Sequence, residues 1–356
     1  MANITEIDTN FKNENAYRPD MKLYNVKEEP FKLYGFCETE DKAFKRIPTE
    51  LAEKLGKGVM YNYAHTSGGR VRFKTDSEYI ILKTKMSSFV VIPHMPITGT
   101  SSFDLYADGE YVKTLHTPLT YDGFDAVFEL KDGFEAIATF EDKKMRDIII
   151  NFPPYNVVDE LYIGISESAQ LLEGNEYKHK KPIVFYGSSI TQGGCASRPG
   201  NTYISLLSRW FDTDILGLGF SGNAVGGETI ANYIADLDMN IFVYDYDFNA
   251  PNAEHLEKTH EEMFKIIREK NPDLPIIMAS RVNAISEENK ERFKIIEKTY
   301  KNAVANGDKN VYLINGMDVL TSIDKEMFTV DGCHPNDFGF YCMAKAFGDV
   351  IKTILK

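Results

Sequence analysis

Near the end of the chain, Asp331-Gly332-Cys333-His334-Pro335 sets a carboxylate and an imidazole three residues apart in a turn bounded by glycine and proline. Far upstream, Tyr186-Gly187-Ser188-Ser189-Ile190-Thr191 carries a serine directly behind an apolar run. A serine hydroxyl is a poor nucleophile at neutral pH. It becomes a good one when an imidazole takes its proton and an acid fixes the tautomer of that imidazole. Of the seven histidines, His334 is the one with an acid at such a spacing inside a turn. Ser189, His334 and Asp331 are therefore candidates for nucleophilic acyl chemistry, with Ser188 as the rival nucleophile. Structural roles compete with this reading: a serine here can cap the following helix, and a turn can hold a histidine or an aspartate for its own sake.

These residues must be positioned by two halves of different period. From about Tyr34 to Ile163, short runs alternate apolar with polar residues, as in Arg70–Lys74, Tyr79–Lys83, Phe103–Tyr106, Asp125–Leu130 and Arg146–Asn151. Turn signals such as Ala107-Asp108-Gly109 and Lys131-Asp132-Gly133 separate them. This pattern predicts half-buried strands in a β-sandwich, with one helical interruption over Thr49–Leu55.

After Pro182, continuous apolar runs (183–186, 215–218, 241–244, 276–279, 311–314) alternate with helix-like segments over 202–211, 254–270 and 337–355. Such alternation predicts a parallel sheet covered by helices, with ligands beyond the carboxyl ends of the strands. The polar stretch Glu173–Lys178 reads as a linker, dividing the chain into domains at 1–175 and 176–356. Ser189 falls just past the first of these strands, Gly219–Asn223 past the second, Asn249 past the third, and Asp331 with His334 past the last, so four segments converge on one sheet edge.

Composition excludes several classes. A net charge of −13 opposes adhesion to phosphate backbones or anionic lipid, and no run approaches the roughly 20 apolar residues of a membrane span. The first residues, MANITEIDTNFKNENAYRPD, lack the basic and apolar regions of a secretory signal, which predicts a cytoplasmic protein. Cys37, Cys195, Cys333 and Cys342 show no metal-type spacing and read as free thiols. The remaining histidines, at 65, 94, 116, 179, 255 and 260, suggest no metal site either, so no metal or cofactor is expected.

The four strand-end segments resemble the blocks of SGNH hydrolases, or GDSL-type esterases. Ser189 takes the nucleophile position, Gly222 in Phe220-Ser221-Gly222-Asn223 the glycine position, Asn249 in Asp247-Phe248-Asn249-Ala250 the asparagine position, and Asp331 with His334 the Asp-x-x-His block. Ser188 stands where the name-giving motif has aspartate, and the asparagine block departs from Gly-x-Asn-Asp. The resemblance implies a flavodoxin-like catalytic domain and an oxyanion hole made by the backbone N–H groups of Ser189 and Gly222 with the Asn249 amide.

A narrower likeness joins Tyr186–Gly200 with Ser102-Phe103-Asp104-Leu105-Tyr106, which is similar to the Gly-x-Asp-Leu-Tyr signature of a subgroup bearing an N-terminal jelly-roll domain. That subgroup implies a carbohydrate esterase releasing small acyl groups, acetyl above all, from small acylated carbohydrates. Lipid, thioester or aryl-ester substrates, or an inactive glycan-binding protein, are the alternatives. The β-domain is expected to lend the segment Thr98–Tyr106 to the rim of the site.

Overall fold

Alternation with a period of two sends every second side chain to the same face of a strand, and the first half of the chain uses it to fill one core. The pairs Val71/Phe73, Ile80/Leu82, Phe103/Leu105, Ile148/Ile150 and Ile163/Ile165 all enter a single buried cluster. In the computed structural model, which describes residues 3–8, 11–40, 42–87, 89–118, 120–122, 125–127, 132–282, 286–319 and 325–355, these strands form two antiparallel sheets of a β-sandwich. One runs in the order Met21–Asn25, Glu160–Ser166, Tyr79–Lys85, Gly133–Thr139. The other runs Leu171–Glu173, Arg70–Thr75, Arg146–Asn151, Phe103–Ala107, Glu110–Leu115, with Lys32–Tyr34 also pairing with Arg70–Thr75. Of the strand expected at Asp125–Leu130, the described part is Asp125–Val127; the rest, and the first residue of the Lys131 turn, lie outside the described residues.

The second half is a five-stranded parallel sheet in the order Thr213–Gly219, His179–Gly187, Ile241–Asp245, Ile276–Ala279, Val311–Ile314. Parity again decides the packing. Val184, Tyr186, Leu216, Leu218, Phe242 and Tyr244 face helices at Glu228–Ala235, Ala253–Lys270 and Glu287–Ala305, while Ile183, Phe185, Ile215, Ile241 and Val243 face Tyr203–Phe211 and Asp337–Ile354. Both faces are covered, which is why these strands read as continuous apolar runs.

The segment expected to be a linker is more structured than its polarity suggests. Leu171–Glu173 adds an edge strand to the sandwich, and the parallel sheet begins at His179. Between them Tyr177 is buried, with its hydroxyl accepting from Arg70 Nε at 2.8 Å and its ring 4.5 Å from the Arg72 guanidinium.

The helix at Thr49–Leu55 and the next at Lys57–Asn62 leave the sandwich and join the other core, where Ile47, Ala52 and Val59 pack with Leu218, Phe220 and Ile230. Beside them Arg46 is fully buried and donates to the carbonyls of His65 (2.7 Å), Asn62 (2.5 Å), Gly217 (2.9 Å) and Gly219. Burial pushes its guanidinium down to about 9, so it remains charged at neutral pH.

Buried ionisable groups set an acid response. Burial, and the neighbouring Arg46 charge at His65, hold His65 and His260 down to about 3, so each takes up a proton on unfolding below pH 6.5. Asp245 acts in the opposite sense, because burial raises it to about 7 against the hydrogen bonds from Tyr203 and Thr191; it keeps a proton in the fold that an unfolded aspartate, at 3.8, releases. From these three groups the unfolded chain carries about one more proton between pH 5 and 6, and their joint contribution to stability should fall by roughly 1.4 kcal/mol for each unit of acidification. Denaturant midpoints across this range measure the slope, and His65→Gln is expected to flatten it.

Candidate active site

The strand His179–Gly187 ends with Gly187 in register with Gly219 on one side and Asp245 on the other. A Cβ at Gly187 would meet Thr191 Oγ1 at 2.0 Å and the Asp245 carbonyl at 2.5 Å, so the absent side chain is what lets the helix Ser189–Gln192 turn directly over the strand end. Ser188 is the N-cap, its Oγ accepting from the Ile190 N–H at 3.1 Å. The capping role weighed for Ser189 thus belongs to its neighbour, and Ser189 Oγ is left for other partners. Ser188→Ala should cost about 1 kcal/mol of stability as a lost cap while ester hydrolysis stays within a few-fold of the unsubstituted rate; a kcat assay beside a thermal melt checks both.

Ser189 Oγ lies 2.9 Å from His334 Nε2, and His334 Nδ1 lies 2.7 Å from Asp331 Oδ2. The turn that presents this pair is closed by the Val330 N–H on the His334 carbonyl (2.9 Å), the Gly332 N–H on Thr329 Oγ1 (3.1 Å) and a bridge between Thr329 and Pro335. Gly332 adopts φ +80°, a left-handed conformation glycine takes at little cost. Asp331 Oδ1 accepts from the N–H groups of Cys333 (3.0 Å) and His334 (2.7 Å). Burial would raise its pKa, but these bonds and the His334 side chain overcome that and hold Asp331 at about 2. A carboxylate at neutral pH can only accept, so His334 Nδ1 carries the hydrogen and the Nε2 lone pair faces the serine hydroxyl.

Gly222 is exposed on the loop after Thr213–Gly219, at φ +71°. Asn249 ends a 3₁₀ turn after Ile241–Asp245, and its Oδ1 accepts from the Ala224 N–H at 3.2 Å. That bond ties the glycine and asparagine segments together and assigns the amide oxygen, leaving the amide N–H groups as the donor end of the side chain. The sequence-predicted residues are thus gathered at the carboxyl edge of the sheet, three of them in one hydrogen-bonded chain.

Several supporting residues escaped sequence reasoning. Gln192 is fully buried; its Oε1 accepts from the Ser221 N–H (2.9 Å), and its Nε2 reaches the Pro154 carbonyl (3.1 Å) and His65 Nδ1 (3.2 Å). Tyr155, from the sandwich, donates to the Ser189 carbonyl at 3.1 Å. His94, also from the sandwich, brings Nε2 to 3.8 Å from Asp331 Oδ2 and its ring to 5.2 Å from that of His334.

The segment Thr98–Tyr106 does reach the catalytic half. Gly99 packs against the Ala196 carbonyl, and Asp104, fully buried, accepts from Arg198 Nη1 (2.8 Å), the Gly200 N–H (2.8 Å) and Asn151 Nδ2 (2.7 Å). Tyr106 also bonds Arg198. The Asp-Leu-Tyr motif therefore clamps the loop that follows the helix Ser189–Gln192, and Arg198 is the clamped group. The sandwich also reaches the acid–imidazole pair through His94, outside the segment expected to form the rim.

Residues 180–352 match the model of the GDSL-like Lipase/Acylhydrolase family, and residues 21–171 match the N-terminus of Esterase_SGNH_hydro-type proteins. No curated protein matches the sequence significantly. Among solved structures, a Bacteroides ovatus protein described as a GDSL-like lipase is 28% identical, with a TM-score of 0.80 over 94% of this chain and 98% of that one. A salicylyl-acyltransferase from a tetracycline biosynthetic pathway is 19% identical, with a TM-score of 0.78 over 95% and 98%. An acetyl xylan esterase from the rumen bacterium Butyrivibrio proteoclasticus is 13% identical, with a TM-score of 0.57 over 93% and 98%. The last two share the fold. With both halves matched in order and the serine, glycine, asparagine and histidine blocks at one sheet edge, the chain belongs to the SGNH/GDSL-type ester hydrolases that carry an N-terminal β-sandwich domain.

Proposed function

We propose that the protein is a carbohydrate esterase that removes small acyl groups, acetyl foremost, through an acyl-enzyme on Ser189. The observation that carries this reading is the chain from Ser189 Oγ through the His334 ring to Asp331. Ser189 Oγ attacks the ester carbonyl as His334 Nε2 takes its proton, and Asp331 compensates the imidazolium. Negative charge on the carbonyl oxygen meets the N–H groups of Ser189 and Gly222 and the Asn249 amide, where one donor is worth about 3 kcal/mol to the transition state. His334 then protonates the departing sugar hydroxyl, and water, activated by the same imidazole, releases the acid.

Support for a small acyl group comes from the residues around the relay. His94, Cys195 and Asp331 flank His334, the loop 192–201 carries no large apolar side chain, and the two rings of 245–252, Tyr246 and Phe248, pack into the cores on either side of the sheet rather than lining the apolar trough a long chain needs. The carbohydrate class is supported by the likeness of fold to family two carbohydrate esterases and to the acetyl xylan esterase. Hydrolysis of chromogenic esters should fall at least tenfold from acetyl to butyryl and further at octanoyl, and acetylated oligosaccharides should release acetate. Octanoyl rates equal to acetyl rates would move the protein to lipases or thioesterases.

The acyltransferase of similar fold keeps a second reading open, in which an alcohol rather than water takes the acyl group. Partition of the acyl-enzyme in the presence of added sugar acceptors distinguishes the two: hydrolysis yields free acid in step with alcohol release, whereas transfer yields a new ester.

A further inference from the structure

His94 from the sandwich, Cys195 from the loop behind the nucleophile helix, and His334 each offer one donor atom, and the three donors lie within 4.8 Å of one another. Two features make this more than crowding. His94 Nε2 is buried and makes no hydrogen bond among the described residues, Asp331 Oδ2 at 3.8 Å being beyond hydrogen-bond reach, and a metal ion would give it a partner. Cys195 is buried and holds a left-handed backbone conformation rare for a non-glycine residue (φ 73°), with Sγ 3.5 Å from the His94 carbonyl. Sequence spacing gave no hint of the set, because its members are more than a hundred residues apart.

We propose that His94, Cys195 and His334 form a binding site for a thiophilic divalent ion such as Zn2+, and that its occupation switches the esterase off. Two imidazoles and a thiolate suit Zn2+ and disfavour Mg2+ or Ca2+. With Zn–N near 2.0 Å and Zn–S near 2.3 Å, tetrahedral donors sit about 3.5 Å apart, so the three must draw in by about 1 Å, with water in the fourth position. Binding breaks the Cys195 S–H bond, forms the metal–sulfur bond and releases the proton to solvent. It also takes a nitrogen of His334 that Ser189 or Asp331 otherwise uses, so an occupied site has no general base. The loss of activity rests on the proposed role of His334; the binding of the ion does not.

The test uses Co2+ and Zn2+ on the full chain. Co2+ should produce the intense near-ultraviolet thiolate-to-cobalt absorption of a tetrahedral site, and Zn2+ should abolish it by displacement. Cys195→Ser should remove the band, His94→Gln should weaken Co2+ binding at least tenfold, and Cys333→Ser should keep the band. Micromolar Zn2+ should suppress ester hydrolysis at least tenfold, reversibly with EDTA, and inhibition of Cys195→Ser or His94→Gln, each against its own metal-free rate, should need at least tenfold more Zn2+. A band that survives Cys195→Ser, or no band at millimolar Co2+, overturns the site. A normal band with no loss of activity overturns the inhibitory consequence while leaving the site, and an enzyme inactive on every ester fails the proposed function without touching the cobalt result.

Discussion

Ser189→Ala should lower kcat for an acetyl ester by at least about 10⁴-fold while the far-ultraviolet spectrum and melting curve stay unchanged. In the proposed mechanism the hydroxyl forms the acyl bond and the imidazole nitrogen 2.9 Å away takes its proton, and alanine offers no atom for either step. The fold should be indifferent. The backbone of Ser189, whose carbonyl holds the Tyr155 hydroxyl and the Gly193 and Gly194 N–H groups, is untouched by the substitution, and the helix cap is Ser188. His334→Ala should come close to the same loss, and the double variant should be no slower than the worse single one, because serine and imidazole act as a unit. Asp331→Asn should lose less than Ser189→Ala, since the attacking atom remains. If Ser188→Ala abolishes activity and Ser189→Ala spares it, the nucleophile has been misassigned by one residue; losses that multiply in the double variant would refute the shared role.

Arg46→Leu is expected to be the most damaging single change to stability, by at least about 4 kcal/mol in denaturant unfolding, out of the 5–15 kcal/mol typical of a folded protein. Four carbonyls lose a charged donor at once, those of Asn62, His65, Gly217 and Gly219, and all lie where water does not enter. Leucine restores packing against the Phe220 ring, which the guanidinium now faces at 4.9 Å, but supplies no N–H. Arg46→Lys keeps a charge but offers a compact ammonium in place of a planar fork, so it should recover less than half of the loss. Gly217 and Gly219 belong to the strand that leads into the Gly222 loop, so folded Arg46→Leu protein should also hydrolyse esters more slowly. A change under about 1 kcal/mol would mean that relaxation or water replaces these bonds and that Arg46 does not tie the two halves together.

Much of this protein was legible before any coordinates. Period two over Arg70–Thr75 and Arg146–Asn151 and apolar runs at Ile183–Tyr186 and Ile241–Tyr244 follow from which strand faces are buried, and burial leaves its mark on neighbouring residues. Ser189, Gly222, Asn249, Asp331 and His334 could be proposed from the sequence for a related reason: each lies at or a few residues from an end of a regular element, in a short block whose turn chemistry is local. The partners that hold this site together leave no such mark. Arg46 meets Gly219 across 173 positions, Asp104 meets Arg198 across 94, and Tyr155 meets the Ser189 carbonyl across 34. An arginine bound to four carbonyls has no charged partner whose sequence could point to it, and a histidine brought against a distant aspartate looks, along the chain, like any other histidine. Only the docking of the sandwich onto the parallel sheet decides those contacts, because main-chain carbonyls and packed loops acquire their positions, and so their capacity to bind or to be left unpaired, when the two halves close on each other.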